Sequence, residues 1–188
     1  DLFPSRKDGV NAWISIMRGC DKFCTFCIVP FTRGRERSRP VDSIVAEAKE
    51  AVKNGFVEIT LLGQNVNSYT TPNGNFPDLL EKVAKIKGIK RIRYTSPHPK
   101  DFDDKLLNVM SKYQNICNYI HLPLQAGSSS VLKRMNRTYN REEFINLVKN
   151  SRKNKLPTNK DDSLFSGEFW SGTQSKELGL VDGLGNME

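Results

Sequence analysis

The apolar positions change period several times along the chain. Residues 12–17 (AWISIM) alternate well enough for a strand, and Val41, Ile44, Val45, Ala48 and Val52 then recur at helical spacing. Asp42 or Ser43 is placed to cap that helix and Gly55 to end it. Residues 56–62 (FVEITLL) are rich in strand formers, and a polar loop over 63–75 separates them from Leu79, Leu80, Val83, Ala84 and Ile86, a second helix opened by Pro77. The unit recurs with a strand over 89–94 and a helix carrying Leu106, Leu107, Val109, Met110 and Tyr113, which Asp103 can cap. A fourth strand is expected over 116–122, followed by helical stretches at 131–135 and 144–148, the latter with a capping box in Asn140 and Glu143. Strands alternating with helices predict βα units and a parallel sheet, with ligands bound on the loops after the strands.

About four strands precede Lys155, too few to close an eight-stranded barrel, so the fold class expected is α/β, a partial, open βα barrel. The pattern then stops. Residues 1–153 read as the core domain, 154–163 as a linker and 164–188 as a short irregular C-terminal tail.

With 37% hydrophobic and 27% charged residues among 188, the chain has enough apolar material for a core and is too balanced for disorder. It has neither the roughly 18 to 20 apolar residues of a membrane span nor a signal-peptide pattern at its start, so a cytoplasmic protein with no membrane partner is expected. The formal charge of +8 is uneven: two lysines against six acids in 156–188 leave +12 on the first 155 residues. A basic body of that kind favours polyanions such as nucleic acid.

Three of the four cysteines, Cys20, Cys24 and Cys27, fall within eight residues directly after the first strand. In a reducing compartment such crowding favours metal binding over disulfides. Three thiolates can hold a [4Fe–4S] cubane and leave one iron open for an exchangeable ligand; the bland alternative is a zinc ion completed by Asp21 or another residue. Arg33, Arg35, Arg37 and Arg39 alternate just beyond the loop and suit phosphate recognition, with Lys90, Arg91 and Arg93 as weaker candidates. His98 and His121 read as ordinary hydrogen-bonding histidines and Cys117 as a small packed hydrophobe.

The C-x3-C-x2-C spacing with Phe26 before the last cysteine resembles the signature of radical S-adenosylmethionine (SAM) enzymes. AWISIMRGCDKFCTFCIVPFTRGRERSRP (12–40), LLGQNVNSY (61–69), RIRYTSPHP (91–99) and HLPLQAGSSSVLKRMNRTYNREEF (121–144) together resemble the radical domain of MiaB-type tRNA methylthiotransferases, over about residues 1–153. The resemblance implies that Cys20, Cys24 and Cys27 ligate a [4Fe–4S] cluster whose fourth iron is chelated by S-adenosyl-L-methionine. Phe26 would lie against the adenine, Gly63 and Gln64 would meet the methionine amino group, and Ser96 and Gln125 would line the same pocket. Reductive cleavage would give a 5′-deoxyadenosyl radical, used to install a methylthio group on isopentenylated adenosine beside the anticodon of tRNA. A one-electron donor such as a flavodoxin or ferredoxin is implied as partner. The sister reading is the methylthiotransferase that modifies an aspartate of a ribosomal protein; a third is a basic module that holds a metal and touches RNA without chemistry.

The family also has an N-terminal domain with three further cysteines, two more barrel strands and a C-terminal TRAM domain, which these residues do not match. The expectation is a truncated radical domain that does not complete methylthiolation alone. LFSGEFWSGTQSKELGLVDGLG (164–185) resembles instead the C-terminal end of the signal peptide peptidase (SppA) family, without that family's catalytic serine and lysine, so no protease activity is expected.

Overall fold

A computed structural model describes residues 9–152, 155–157, 164–166 and 169–185. The chain divides into two compact units, Asp1–Pro123 and Leu124–Glu188.

In the first unit, β1 (Asn11–Ser15) is followed by the two-residue β2 (Met17–Arg18), the cysteine loop, α1 (Val29–Arg33), β3 (Arg37–Ser38) and α2 (Val41–Lys53). Next come β4 (Glu58–Leu62), the short pair β5 (Thr70–Thr71) and β6 (Gly74–Asn75), α3 (Phe76–Ala84), β7 (Arg91–Tyr94) and α4 (Asp104–Lys112). Strands β1, β4 and β7 form the parallel sheet in that order, in a register that aligns Ala12 with Ile59 and Ile92, and Ile14 with Leu61 and Tyr94. Those six side chains, all buried, meet helix residues such as Ile44, Ala48, Leu79, Leu80, Val83 and Leu106 in one core.

The other face of the sheet carries polar residues beside the exposed Trp13. Thr60 bonds Asn11, and Glu58 accepts from Arg91 at 3.0 Å and Arg93 at 2.9 Å. A parallel sheet buried on both faces reads as a continuous apolar run, so this alternation leaves one face largely polar.

The expected fourth strand is not formed. Ile116 makes a single parallel bridge to Ile92, with Ile92 N–H donating to Asn115 and Cys117 N–H to Ile92, and no ladder continues past it. The sheet therefore has three strands, not about four. Residues 116–122 could be paired from one side only, and Asn118, His121 and Pro123 interrupt the apolar pattern that would hold them there. Cys117 is half-buried next to this bridge.

The helix caps also test local reasoning. Asp103 caps α4 as expected, its Oδ1 accepting from Leu106 N–H at 2.8 Å. Helix α3 starts with a capping box between Asn75 and Asp78, with Pro77 in its first turn. Helix α2 differs from expectation: its cap is Pro40, and neither Asp42 nor Ser43 makes a capping bond. Gly55, at φ +90°, follows its last turn in the left-handed conformation that ends helices. Replacing the α4 cap, Asp103→Ala, should destabilise the chain by about 1 kcal/mol in urea unfolding.

Glu81 joins α3 to α4, accepting from Tyr113 Oη at 2.6 Å and Lys112 Nζ at 2.9 Å. The Tyr113 hydroxyl first, then the two lysines Lys112 and Lys85, hold its carboxyl down at about 2 from the usual 4.5. A carboxyl depressed in the folded state stabilises fully above its unfolded value and loses that contribution as pH falls through its folded one. The unfolding midpoint of wild type should therefore exceed that of Glu81→Gln at neutral pH, and the gap should close between pH 4.5 and about 2. A gap that persists unchanged across that range would refute the linkage.

The second unit holds α5 (Ser129–Arg134), α6 (Arg141–Arg152) and α7 (Gly172–Glu177). The capping box of α6 forms as expected, Asn140 N–H donating to Glu143 and Glu143 N–H to Asn140. The tail is less irregular than expected: α7 is a helix with its own capping box between Ser171 and Gln174. Arg152 ties the tail to α6, donating to the Gly179 carbonyl and, in a bidentate pair, to Asp182. Most of the expected linker lies outside the described residues. Among the described residues no helix is long and apolar enough to cross a membrane.

Candidate functional site

Because β1, β4 and β7 run parallel in register, the segments leaving them emerge along one edge of the sheet. Hydrogen bonds interlock these segments. Strand β1 runs on through Ile16, whose N–H donates to Leu62 at the end of β4, into β2, which pairs antiparallel with β3. The cysteine loop is thus the closed end of a ribbon: Cys20 N–H donates to the Gly34 carbonyl at 3.2 Å, and Gln64 Oε1 accepts from Gly19 N–H at 2.8 Å. Within the loop, Cys27 N–H donates to the Cys24 carbonyl.

None of the three loop cysteines forms a disulfide; Cys24 is buried, whereas Cys20 and Cys27 are half-buried. Burial chiefly, with Glu36 and the neighbouring cysteines, pushes the Cys20 thiol up, against a backbone bond from Lys22 that lowers it. Metal binding must then displace the proton.

A second network anchors the loop to the segments after β4 and β7. Lys22 pairs with Asp101 at 2.6 Å, and Asp101 also accepts from Asn65 Nδ2 at 2.8 Å. Asn67 and the His98 backbone exchange two hydrogen bonds, and His98 Nδ1 accepts from Lys100 N–H. His98 is thus the satisfied histidine the sequence suggests. Across the ribbon Asp21 N–H donates to the Glu36 carboxylate and Glu36 N–H to the Asp21 carboxylate, and Ser68 Oγ donates to Glu36 at 2.9 Å. Lys22, Asn65 and Asp101 escaped the sequence reading. Their only signal lay in being polar residues on strand-end loops, because each meets its partner from far along the chain.

The structure places the expected cofactor residues as follows. Phe26 is exposed on the loop. Gly63 has no room for a side chain, since a Cβ would lie 2.6 Å from Met17 Cγ. Gln64 holds the ribbon through Gly19. Ser96 and Gln125 are both exposed and both left-handed, at φ +56° and +76°. Left-handed non-glycine residues collect at functional sites, and Phe23 of the cysteine loop, at φ +48°, is another. Gln125 belongs to the second unit, the other four to the first.

The four arginines separate. Arg33, Arg35 and Arg37 are exposed; Arg35 pairs with Asp21 at 2.8 Å and stacks over Phe23, 5.2 Å from the ring centroid. Arg39 is half-buried and turned inward, donating to the Ser15 carbonyl, to the buried Glu47 and to Ser43. Arg91 and Arg93 are engaged by Glu58.

A family model described as the radical SAM superfamily matches residues 14–165. The chain belongs to this superfamily. It is 57% identical over 148 residues to a tRNA-2-methylthio-N(6)-dimethylallyladenosine synthase of Thermodesulfovibrio yellowstonii, covering 79% of this chain and 34% of that protein. To the protein of that name from Bdellovibrio bacteriovorus it is 57% identical over 145 residues, 76% of this chain and 32% of that one. The chain spans about a third of the length of these curated relatives. Among solved structures it is similar to the radical S-adenosylmethionine methyltransferase TsrM from Kitasatospora setae, with TM-score 0.57 and 17% identity over 73% of this chain and 28% of that one. That likeness concerns the fold.

The cofactors of a radical SAM protein are a [4Fe–4S] cluster and S-adenosylmethionine, and the loop fits the cluster. Among the described residues no three Cys, His, Asp or Glu side chains converge as one metal ion would require. In a cubane each of three thiolates binds its own iron, with all three gathered round one cube, and Cys20, Cys24 and Cys27 supply that donor set. Asn65 Oδ1, directly after Gln64, is a buried acceptor without a donor, a place where a ligand N–H could be satisfied.

Proposed function

We propose that this chain is the radical-generating part of a tRNA methylthiotransferase that acts on N6-dimethylallyladenosine beside the anticodon. The observation that carries this reading is 57% identity to a curated synthase over 148 residues, 79% of this chain. No observation on this chain favours the ribosomal-protein branch.

In this reading Cys20, Cys24 and Cys27 hold the cluster. With S-adenosylmethionine it supplies a carbon-centred radical able to take hydrogen from an unactivated carbon. The remaining residues bind and orient. Phe26 offers an exposed ring to an adenine, while Gly63 lets the backbone after β4 run close to Met17. Gln64 and the Lys22–Asp101–Asn65 network keep the loop from shifting against the strand ends. Ser96 and Gln125 are proposed to face the cofactor, and Arg33, Arg35 and Arg37 to face RNA. Arg39, expected to join them, instead turns inward and supports the ribbon. The partners proposed are tRNA and a one-electron donor such as a flavodoxin or ferredoxin, in the cytoplasm. The tail is proposed to be a peptidase-like remnant without catalysis.

The test is anaerobic reconstitution with iron and sulfide, followed by reductant and S-adenosylmethionine and measurement of 5′-deoxyadenosine. Wild type should produce it and Cys24→Ala should not. Equal yields would remove the enzyme reading.

A further inference from the structure

The ribbon that closes the cysteine loop carries a charge arrangement that its own stability does not call for. Arg18 and Arg37 are directly opposite each other in the antiparallel register of β2 and β3, so both side chains leave the same face. Both are exposed. Like charges in this relation destabilise a strand pair, and here each strand has only two residues to resist the repulsion. Four other arginines of the first unit meet carboxylates, Arg35 with Asp21, Arg39 with Glu47, and Arg91 and Arg93 with Glu58, while the exposed Arg33 on α1 meets none among the described residues. Among the described residues, neither Arg18 nor Arg37 meets a carboxylate.

Two guanidinium forks on one face, with no acid between them, complement an anion that has several oxygens to share. The surroundings narrow the anion. Helix α1 ends at Gly34, whose carbonyl binds Cys20 N–H, so helix and ribbon meet at one corner. On that helix Phe31 is 77% exposed and stands edge-on to Phe23, with ring centroids 6.3 Å apart. An exposed ring on the helix that meets the ribbon carrying these arginines suits a nucleic acid strand whose bases are free to stack, rather than a duplex or an acidic protein.

We propose that Arg18 and Arg37 together grip one backbone phosphate of a single-stranded RNA loop, with Phe31 as the stacking platform for an unpaired base. This deepens the functional reading, on which the identity of the RNA rests.

The test uses the full reconstituted chain, an anticodon stem–loop RNA as probe, and fluorescence anisotropy over a salt series. Arg18→Gln and Arg37→Gln should each weaken binding about tenfold and lower the salt slope by about 0.7, one phosphate contact on a single strand. The double variant should be close to either single one, because both side chains share the phosphate. Phe31→Ala should weaken binding about tenfold with the slope unchanged. Lys53→Gln, an exposed lysine at the end of α2, controls for net charge.

Without RNA, each arginine variant should melt about 1 to 3 °C higher than wild type, since the repulsion is gone; a structural role would lower the melting point. The inference is overturned if wild type does not bind the stem–loop, if the arginine variants bind like Lys53→Gln, if their effects on the slope add, or if they melt lower. Wild type that yields 5′-deoxyadenosine while the arginines prove irrelevant overturns the inference alone. Wild type that grips RNA through them yet never yields it overturns the functional reading alone.

Discussion

Gly19→Ala should prevent the cysteine loop from closing. Gly19 sits at φ +80°, and a Cβ there would fall on the Arg35 carbonyl oxygen and within 2.5 Å of that of Gly34. Both obstacles are backbone, so no side-chain rotation relieves them. The Gly34 carbonyl accepts from Cys20 N–H, and Gly19 N–H itself donates to Gln64. Opening the corner therefore breaks the ribbon's grip on Cys20, the first of the proposed cluster ligands, and on the segment after β4. Left-handed strain and the clash together should destabilise the apo chain by about 3 kcal/mol or more. Iron bound after reconstitution should fall well below one cluster per chain. A variant with wild-type urea midpoint and iron content would show that the corner does not shape the site.

Arg39→Gln should have a comparable effect for a different reason. Glu47 on α2 is 2% exposed, and Arg39 donates to its carboxylate at 2.7 Å while also bonding the Ser15 carbonyl and Ser43. The Arg39 carbonyl accepts from Tyr69 Oη at 2.6 Å, so the same residue joins β1, α2 and the segment after β4. Shortening it leaves a buried carboxylate without its cation, which costs about 3 kcal/mol in comparable pairs. Replacing both partners by apolar residues, Arg39→Met with Glu47→Leu, should recover most of the loss, because the unpaired charge is then gone. Urea unfolding of the two singles and the double measures the coupling. If the double is as unstable as the sum of the singles, the pair does not act as a unit.

These two positions differ in how much could be read from residue order. The C-x3-C-x2-C spacing is readable because all its members lie within one short loop, where three thiolates suit a cubane with an open iron or a zinc ion completed by another residue. Asp103, Asn140 with Glu143, and Gly55 were legible for the same reason: a cap acts within one helical turn. Pro40 was not, since nothing local separates it from Asp42 and Ser43 as the cap of α2. The strand at 116–122 was misread because its composition suits a strand while its position gives it a partner on one side only, and the result is one bridge to Ile92.

Arg39 shows the limit most clearly. Read along the chain it is the fourth of four alternating basic residues, yet the fold turns it toward Glu47 and leaves Arg33, Arg35 and Arg37 outside. Lys22 finds Asp101 from 79 residues away and Asn65 finds it from 36. Residue order suffices for the alternation of strands and helices, the caps and the thiolate spacing, since each depends on groups a few bonds or one turn apart. Which polar side chains support the loop and which remain free for a ligand depends on segments brought together by the parallel register, and only the folded chain decides that.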